Sequence, residues 1–253
     1  MADSGKEDRK LRFIIVFTGF LLYLIITLPV VPFGLLIGVF NRRARDIMFL
    51  RMVQTAFKWF LWVTGMKLTV IGEENVPKDQ AVLYVGNHRS YFDIIVTYSR
   101  CPDRTGYVAK KTLRRVPILN MWMSFLYCLF LDRDNIKEGL KTILKGVDYL
   151  KSGISICIFP EGTRGREEGK LLPFKEGSFK MAQKAKCPII PMAITNTAAV
   201  WENQFPRMKP SHVIVEYGKP IYMDQLDREE QRHIGSYVQN QIQEMLDKNT
   251  KSI

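Results

Sequence analysis

Residues 13–40 carry no charge over 28 positions, and this run constrains the chain more than any other feature. It exceeds the length of an ordinary core helix and predicts a membrane segment. It is too long for the apolar part of a cleaved signal peptide, and no small-x-small cleavage pattern follows it. Arg12 precedes it, and Arg42, Arg43 and Arg45 follow it. Pro29 and Pro32 interrupt it. A helix over 13–28 would rise roughly 24 Å at about 1.5 Å per residue, short of the roughly 30 Å of bilayer hydrocarbon. Basic residues at both ends give no orientation. Two forms remain open. The segment spans the membrane once, or it enters the cytoplasmic leaflet, turns near Pro29 and Pro32, and returns to the same face. Residues 47–65 continue as an interfacial amphipathic helix, with Trp59, Trp62, Arg51 and Lys58 at headgroup depth. The expectation is a chain held at the cytoplasmic face of a membrane through residues 13–65.

Charge supports a polyanionic contact. Lys and Arg number 37 against 25 Asp and Glu, a net +12, which suits nucleic acid, an anionic membrane surface or a phosphorylated substrate. Residues 1–70 hold ten Lys/Arg and four Asp/Glu, so half of the excess brackets the apolar run. No nucleic-acid recognition motif accompanies the basic residues, so no nucleic-acid partner is expected. The four cysteines (Cys101, Cys128, Cys157, Cys187) form no Cys-x-x-Cys and predict free thiols in a reducing compartment. Three scattered histidines predict no metal site.

After Gly65 short β-branched runs alternate with helical periodicity. Strands are predicted at 67–72, 81–86, 106–109, 126–131, 155–159, 189–194 and 213–217. Helices are predicted at 136–151, with Ile136, Leu140, Ile143, Leu144, Val147 and Leu150 on one stripe, and at 227–248, with Ile234, Val238, Ile242, Met245 and Leu246 as its face. This predicts a layered α/β domain over 66–253 with a mixed sheet and flanking helices, preceded by a helical membrane-associated segment over 1–65.

Two strands empty into polar motifs. The strand at 81–86 runs into Asn87-His88-Arg89-Ser90-Tyr91-Phe92-Asp93. Ser90-x-x-Asp93 reads as a capping box opening a helix at Tyr91, which would make His88 a loop residue and Asp93 a cap. The same geometry also suits catalysis. A histidine at a strand exit is well placed, and a carboxylate in the next helical turn fixes its tautomer. No nucleophile motif surrounds Ser90, so the simplest chemistry is His88 as a general base. The strand at 155–159 runs into Pro160-Glu161-Gly162-Thr163-Arg164-Gly165. Gly162 and Gly165 admit a ligand close to the backbone, and Arg164 offers a planar fork for phosphate. A solvated surface turn is the alternative. Residues 100–115 hold six basic residues and one acid; Lys110 and Lys111 leave the strand at 106–109 toward a phosphate, a solvated face or lipid headgroups. The apolar stretch 117–131 reads as a core helix and strand, or as the lining of a lipid-chain channel.

Together these stretches resemble the 1-acylglycerol-3-phosphate acyltransferase family, the lysophosphatidic acid acyltransferases, over about residues 67–220. Residues Asn87 to Asp93 look like the family's first block, in which the histidine is the base and the aspartate its partner. Lys110-Lys111-Thr112-Leu113 through Pro117 is similar to the second block. Phe159-Pro160-Glu161-Gly162-Thr163-Arg164 looks like the third, and Leu172-Pro173-Phe174-Lys175 with Pro188-Ile189-Ile190-Pro191 resembles the downstream stretches. Asn120 stands where the second block often has Gly, and Glu176 where a second basic residue often follows the lysine. The resemblance implies a glycerophosphate acyltransferase-like fold and transfer of an acyl chain to the sn-2 hydroxyl of lysophosphatidic acid. It implies His88 and Asp93 as the catalytic pair, and Lys110, Glu161, Gly162, Thr163 and Arg164 as substrate-binding residues. No cofactor or metal is implied. The donor is a thioester on coenzyme A or on acyl carrier protein, the latter a partner. Another lysophospholipid or glycerol 3-phosphate remains an alternative acceptor, and a non-catalytic peripheral lipid-binding protein a distant alternative.

Overall fold

The computed structural model describes residues 4–253, which divide into two compact units. The first comprises the chain up to Leu68 with Ser90–Cys101 and Asn196–Val213; the second comprises Thr69–Arg89, Pro102–Thr195 and Ile214–Ile253.

The first unit is helical. Helix α1 (Ser4–Ile26) stops before Pro29, because the residue ahead of a proline is pushed out of the helical region. A turn follows, closed by Val30 N–H on Thr27 O (3.1 Å) and Val31 N–H on Leu28 O (3.1 Å). Helix α2 (Val30–Phe40) then begins, with Pro32 in its first turn where an N–H has no intrahelical acceptor. The two helices meet at a 55° bend. Among the described residues no single helix is long and apolar enough to cross a membrane, but this bent pair passes together by length and composition. Helix α3 (Arg42–Thr64) is opened by the Asn41 side chain accepting from Ala44 N–H and closed at Gly65 with φ 69°. Helix α2 lies close against α3: a Cβ at Gly34 would sit 2.4 Å from Phe49 Cζ. Helix α4 (Tyr91–Tyr98) is tied to α3 by Gln54 Nε2, which donates to Tyr98 O (3.1 Å) and Cys101 O (2.7 Å). The unit has its own core of Val16, Ala56, Phe60, Phe92, Val200, Met208 and Val213. Outward it shows Ile14, Phe17, Leu21 and Ile25 on α1, Phe33, Leu36 and Phe40 on α2, and Trp59 and Trp62 on α3, all exposed.

The second unit holds most of a seven-stranded mixed sheet, as the periodicity predicts; Lys67, Leu68, His212 and Val213 are counted with the first. The strands are β1 (Lys67–Ile71), β2 (Leu83–Gly86), β3 (Thr105–Lys110), β4 (Leu129–Leu131), β5 (Ser155–Ile158), β6 (Ile189–Thr195) and β7 (His212–Tyr217), in the order β1-β7-β6-β2-β5-β3-β4. The pairs β6-β2, β2-β5, β5-β3 and β3-β4 are parallel, and β6-β7 is antiparallel. Parallel neighbours need crossovers; α5 (Pro117–Phe125), α6 (Ile136–Lys151) and α7 (Lys180–Ala185) lie between β3 and β6 in the chain and supply them there, while α8 (Arg228–Arg232) and α9 (Ile234–Thr250) follow the last strand. Strands β2 and β6 are buried throughout, which fits their near-continuous apolar sequence. The core joins Leu83, Val85, Ile156 and Ile189 to Val147 and Leu150 of α6 and to Ile234, Val238, Ile242 and Leu246 of α9.

Three details differ from the pattern. The stripe predicted on α6 splits: Val147 and Leu150 are buried, but Ile136, Leu140 and Leu144 are exposed. At 3.6 residues per turn Leu140 and Leu144 are rotated by about 40° and about 80° from Ile136 and so leave the buried face, whereas Ile136 shares the angle of Val147 and is exposed as the first residue of the helix. The predicted helix at 227–248 breaks at His233, because the Glu176 carboxylate takes the Gly235 N–H (3.1 Å) that begins α9. Residues 126–128 turn rather than extend, with Tyr127 at φ 59°. Gly106 admits the turn; a Cβ there would lie 2.2 Å from Tyr127 O.

Candidate active site

Strands β2, β5 and β3 are adjacent and parallel, so all three deliver their following residues at one edge of the sheet. Asn87 and His88 follow β2, Phe159 to Arg164 follow β5, and Lys110 ends β3. Asn87 extends the pairing of β2 with β6 through its side chain. Its Nδ2 donates to Ile194 O (2.8 Å), and its Oδ1 accepts from Ile194 N–H (2.8 Å). The main chain entering His88 is therefore fixed.

His88 is held on three sides within its unit. Its N–H donates to Glu161 Oε1 (2.7 Å), its carbonyl accepts from Gly165 N–H (2.8 Å), and its ring stacks on Phe159 at 4.4 Å and 12°. Glu161 is 5% exposed, and its Oε2 accepts from Leu172 N–H (3.0 Å). That carboxylate thus ties the β2 exit, its own loop and residue 172 together. Gly162 has φ 74°, a conformation that side chains resist. Lys175 lies over it, with Nζ 3.1 Å from where a Cβ would stand. Lys175 N–H also donates to Pro160 O (3.2 Å). Thr163 and Arg164 are exposed at the rim of this loop, and Lys110 is exposed at the end of β3. Arg89, almost buried, pairs with Glu168 at 3.3 Å. Among the described residues no group of three His, Cys, Asp or Glu is placed to hold a metal.

Asp93 belongs to the helical unit and is 0% exposed. The capping box read from the sequence is present: Ser90 N–H donates to Asp93 Oδ2 (2.7 Å), and Ser90 Oγ accepts from Phe92 N–H (2.9 Å). Thr197 Oγ1 donates to Asp93 Oδ1 at 2.5 Å. Glu202 accepts from Ser90 Oγ (2.7 Å) and from Tyr91 N–H (2.8 Å), and a carboxylate suits a helix start. Sequence reading had no signal for Thr197 or Glu202, which stand more than a hundred positions from their partners. Lys175 was visible as part of a motif but not as a neighbour of Gly162.

A family model described as Acyltransferase matches residues 67–195, just over half of the chain. The chain belongs to the acyltransferase family. Curated members similar to it include the 1-acyl-sn-glycerol-3-phosphate acyltransferase of Saccharomyces cerevisiae, 33% identical over 185 residues. That match covers 72% of this chain and 60% of the yeast protein. The enzyme of the same name from Borreliella burgdorferi is 37% identical over 148 residues, 58% of each chain. This acyltransferase-family chain therefore spans about three fifths of the length of the curated relatives it matches. The crystal structure of the 1-acyl-sn-glycerophosphate (LPA) acyltransferase PlsC from Thermotoga maritima superposes with a TM-score of 0.73 at 23% identity. It covers 95% of this chain and 98% of that one, and at that identity the likeness speaks to the fold.

Proposed function

We propose that this chain transfers a fatty acyl group from a thioester to the sn-2 hydroxyl of lysophosphatidic acid, forming phosphatidic acid for phospholipid synthesis. The observation that carries the reading is His88, a fixed imidazole at a sheet edge where the Gly162 loop and Lys110 also emerge. His88 takes the acceptor hydroxyl proton as the oxygen attacks the thioester carbonyl. The tetrahedral intermediate expels the thiolate, which leaves as the free thiol after His88 returns the proton. No acyl-enzyme is needed. Asp93, five residues on, orients the imidazole. Arg164, Lys110, Gly162 and Thr163 receive the phosphoglycerol head. Glu161 serves them as a positioning residue, since its oxygens hold the backbone of His88 and Leu172. The relatives named 1-acyl-sn-glycerol-3-phosphate acyltransferase support lysophosphatidic acid as acceptor.

The proposed chemistry uses no cofactor, because the donor thioester already carries the activated acyl group; acyl-CoA and acyl-acyl-carrier-protein both fit. In this reading residues 1–65 anchor the enzyme at the cytoplasmic face and residues 66–253 carry the chemistry. The 55° bend between α1 and α2 favours a re-entrant anchor over a straight span, with the exposed apolar residues of both helices in one leaflet.

The test is an acceptor panel with purified protein and both donors, following thiol release and product mass. The expected result is phosphatidic acid from lysophosphatidic acid. Turnover only with another lysophospholipid or with glycerol 3-phosphate would reassign the acceptor, and no thiol release with any acceptor would remove the enzymatic reading.

A further inference from the structure

We propose that the α/β unit has a lipid-contact surface of its own, made by α6 and the turn at Lys111–Arg115, which lies in the headgroup layer of an anionic bilayer. On α6, Ile136, Leu140 and Leu144 are 90%, 51% and 44% exposed. Lys137, Lys141 and Lys145 each follow one residue later, so a lysine row runs alongside the apolar row, rotated by about 100°. The buried residues of the helix are Gly146, Val147 and Leu150, all in its second half, and Ile136, Leu140 and Leu144 are not among them. An apolar stripe flanked by lysines is the pattern of a helix lying in a membrane interface. The stripe enters the acyl boundary while the lysine stems lie along it and carry their ammonium groups to phosphates.

The neighbouring turn repeats the pattern. Leu113 and Val116 are exposed there, beside Arg114 and Arg115. Lys111 Nζ pairs with Asp132 Oδ2 (2.6 Å) just past β4, the last strand of the sheet. The first turns of α6 stand against the same residue, where a Cβ at Gly139 would lie 3.1 Å from Asp132 O. Residues 110–151 hold nine Lys/Arg against four Asp/Glu, so the surface is cationic as well as apolar and complements anionic lipid. An enzyme whose acceptor and product are lipids gains from seating the catalytic unit itself at the interface. In that respect the proposal rests on the function above, but its test does not read turnover.

The full chain is labelled with a nitroxide at Ile136→Cys in a Cys128→Ser background, since Cys101, Cys157 and Cys187 are buried. Collision rates with oxygen and with a water-soluble nickel chelate are compared in detergent micelles, phosphatidylcholine vesicles and 7:3 phosphatidylcholine–phosphatidylglycerol vesicles. The expected oxygen-to-nickel ratio rises several-fold in the anionic vesicles over micelles, and less in neutral ones. The triple change Lys137→Gln, Lys141→Gln and Lys145→Gln lowers it toward the neutral value. Leu140→Cys, labelled in the same way, reports a second depth. A ratio in anionic vesicles equal to that in micelles, with the protein bound to the vesicles, overturns the proposal. So does shielding of the label by an acidic carrier protein alone, which makes the surface a protein-docking face. Either failure leaves acyl transfer standing, and absent acyl transfer with an immersed label leaves the surface standing.

Discussion

At the scale of single residues, the candidate site is main chain held by side chains, as Glu161 holds the N–H groups of His88 and Leu172. His88→Ala is expected to lower turnover by about 10²–10⁴-fold, the usual worth of a positioned base, with lysophosphatidic acid binding retained. Near-wild-type turnover in a steady-state assay removes His88 from its role. Arg164→Ala should mainly raise the apparent Michaelis constant for the acceptor; a fall confined to turnover would mean that Arg164 acts on the transition state. Glu161→Ala strips two backbone N–H groups of their acceptor, those of His88 and Leu172. Each such loss costs about 1–3 kcal/mol, so denaturant melts should show a marked loss of stability together with reduced turnover. Cys187 offers a control that the proposed chemistry does not use. Burial pushes its thiol up to about 12 from an ordinary 9.0. The folded chain then keeps a proton that the unfolded chain loses, so this thiol's contribution turns destabilising as pH rises from about 9 toward 12. Iodoacetamide at pH 8 should leave Cys187 intact until urea unfolds the protein, as peptide mass mapping will read.

At the scale of elements, the strands were the most legible part of the sequence. All seven form within the predicted runs, although β4 takes only Leu129–Leu131 of the run at 126–131, and the two motifs follow strands as the pattern required. Periodicity fixes which residues share a face but not how much of that face the fold covers, and α6 shows the consequence. Its predicted stripe runs from the buried Leu150 and Val147 out to Ile136, which faces solvent. The break at His233 was illegible for a different reason, since its cause is a carboxylate from residue 176. The capping box of α4 was readable because both partners lie within four residues. Glu202 and Thr197, which complete that helix start, were not. The α2–α3 contact yields a prediction at this scale. Gly34→Leu forces a side chain into the Phe49 ring, and over-packing of this kind costs about 1–3 kcal/mol. Thermal melts in detergent should show the loss, while Gly169→Ala, with nothing within 4 Å of its Cβ but a φ of 74°, should show a smaller one from backbone strain alone.

At the scale of the whole chain, the net charge of +12 and the apolar run at 13–40 give separate handles on membrane attachment. Salt screens exposed charges but leaves apolar burial intact. Washing membranes with 1 M potassium chloride should therefore leave this protein in the pellet, with release only by detergent. Release by salt alone would mean that the exposed residues of α1 and α2 are not in lipid. The sequence by itself determined the strands, the polar motifs that follow them, the proline break in the apolar run and the capping box of α4. Each of these depends on backbone rules acting over a few neighbours. Only the tertiary structure decided that Asp93 shares a compact unit with the N-terminal helices, that Glu161 turns its carboxylate to the His88 backbone, and that the outer face of α6 stays uncovered. Those outcomes depend on which distant segments meet, and hydrogen bonds between residues 73 to 112 positions apart leave no periodic trace in the chain that makes them.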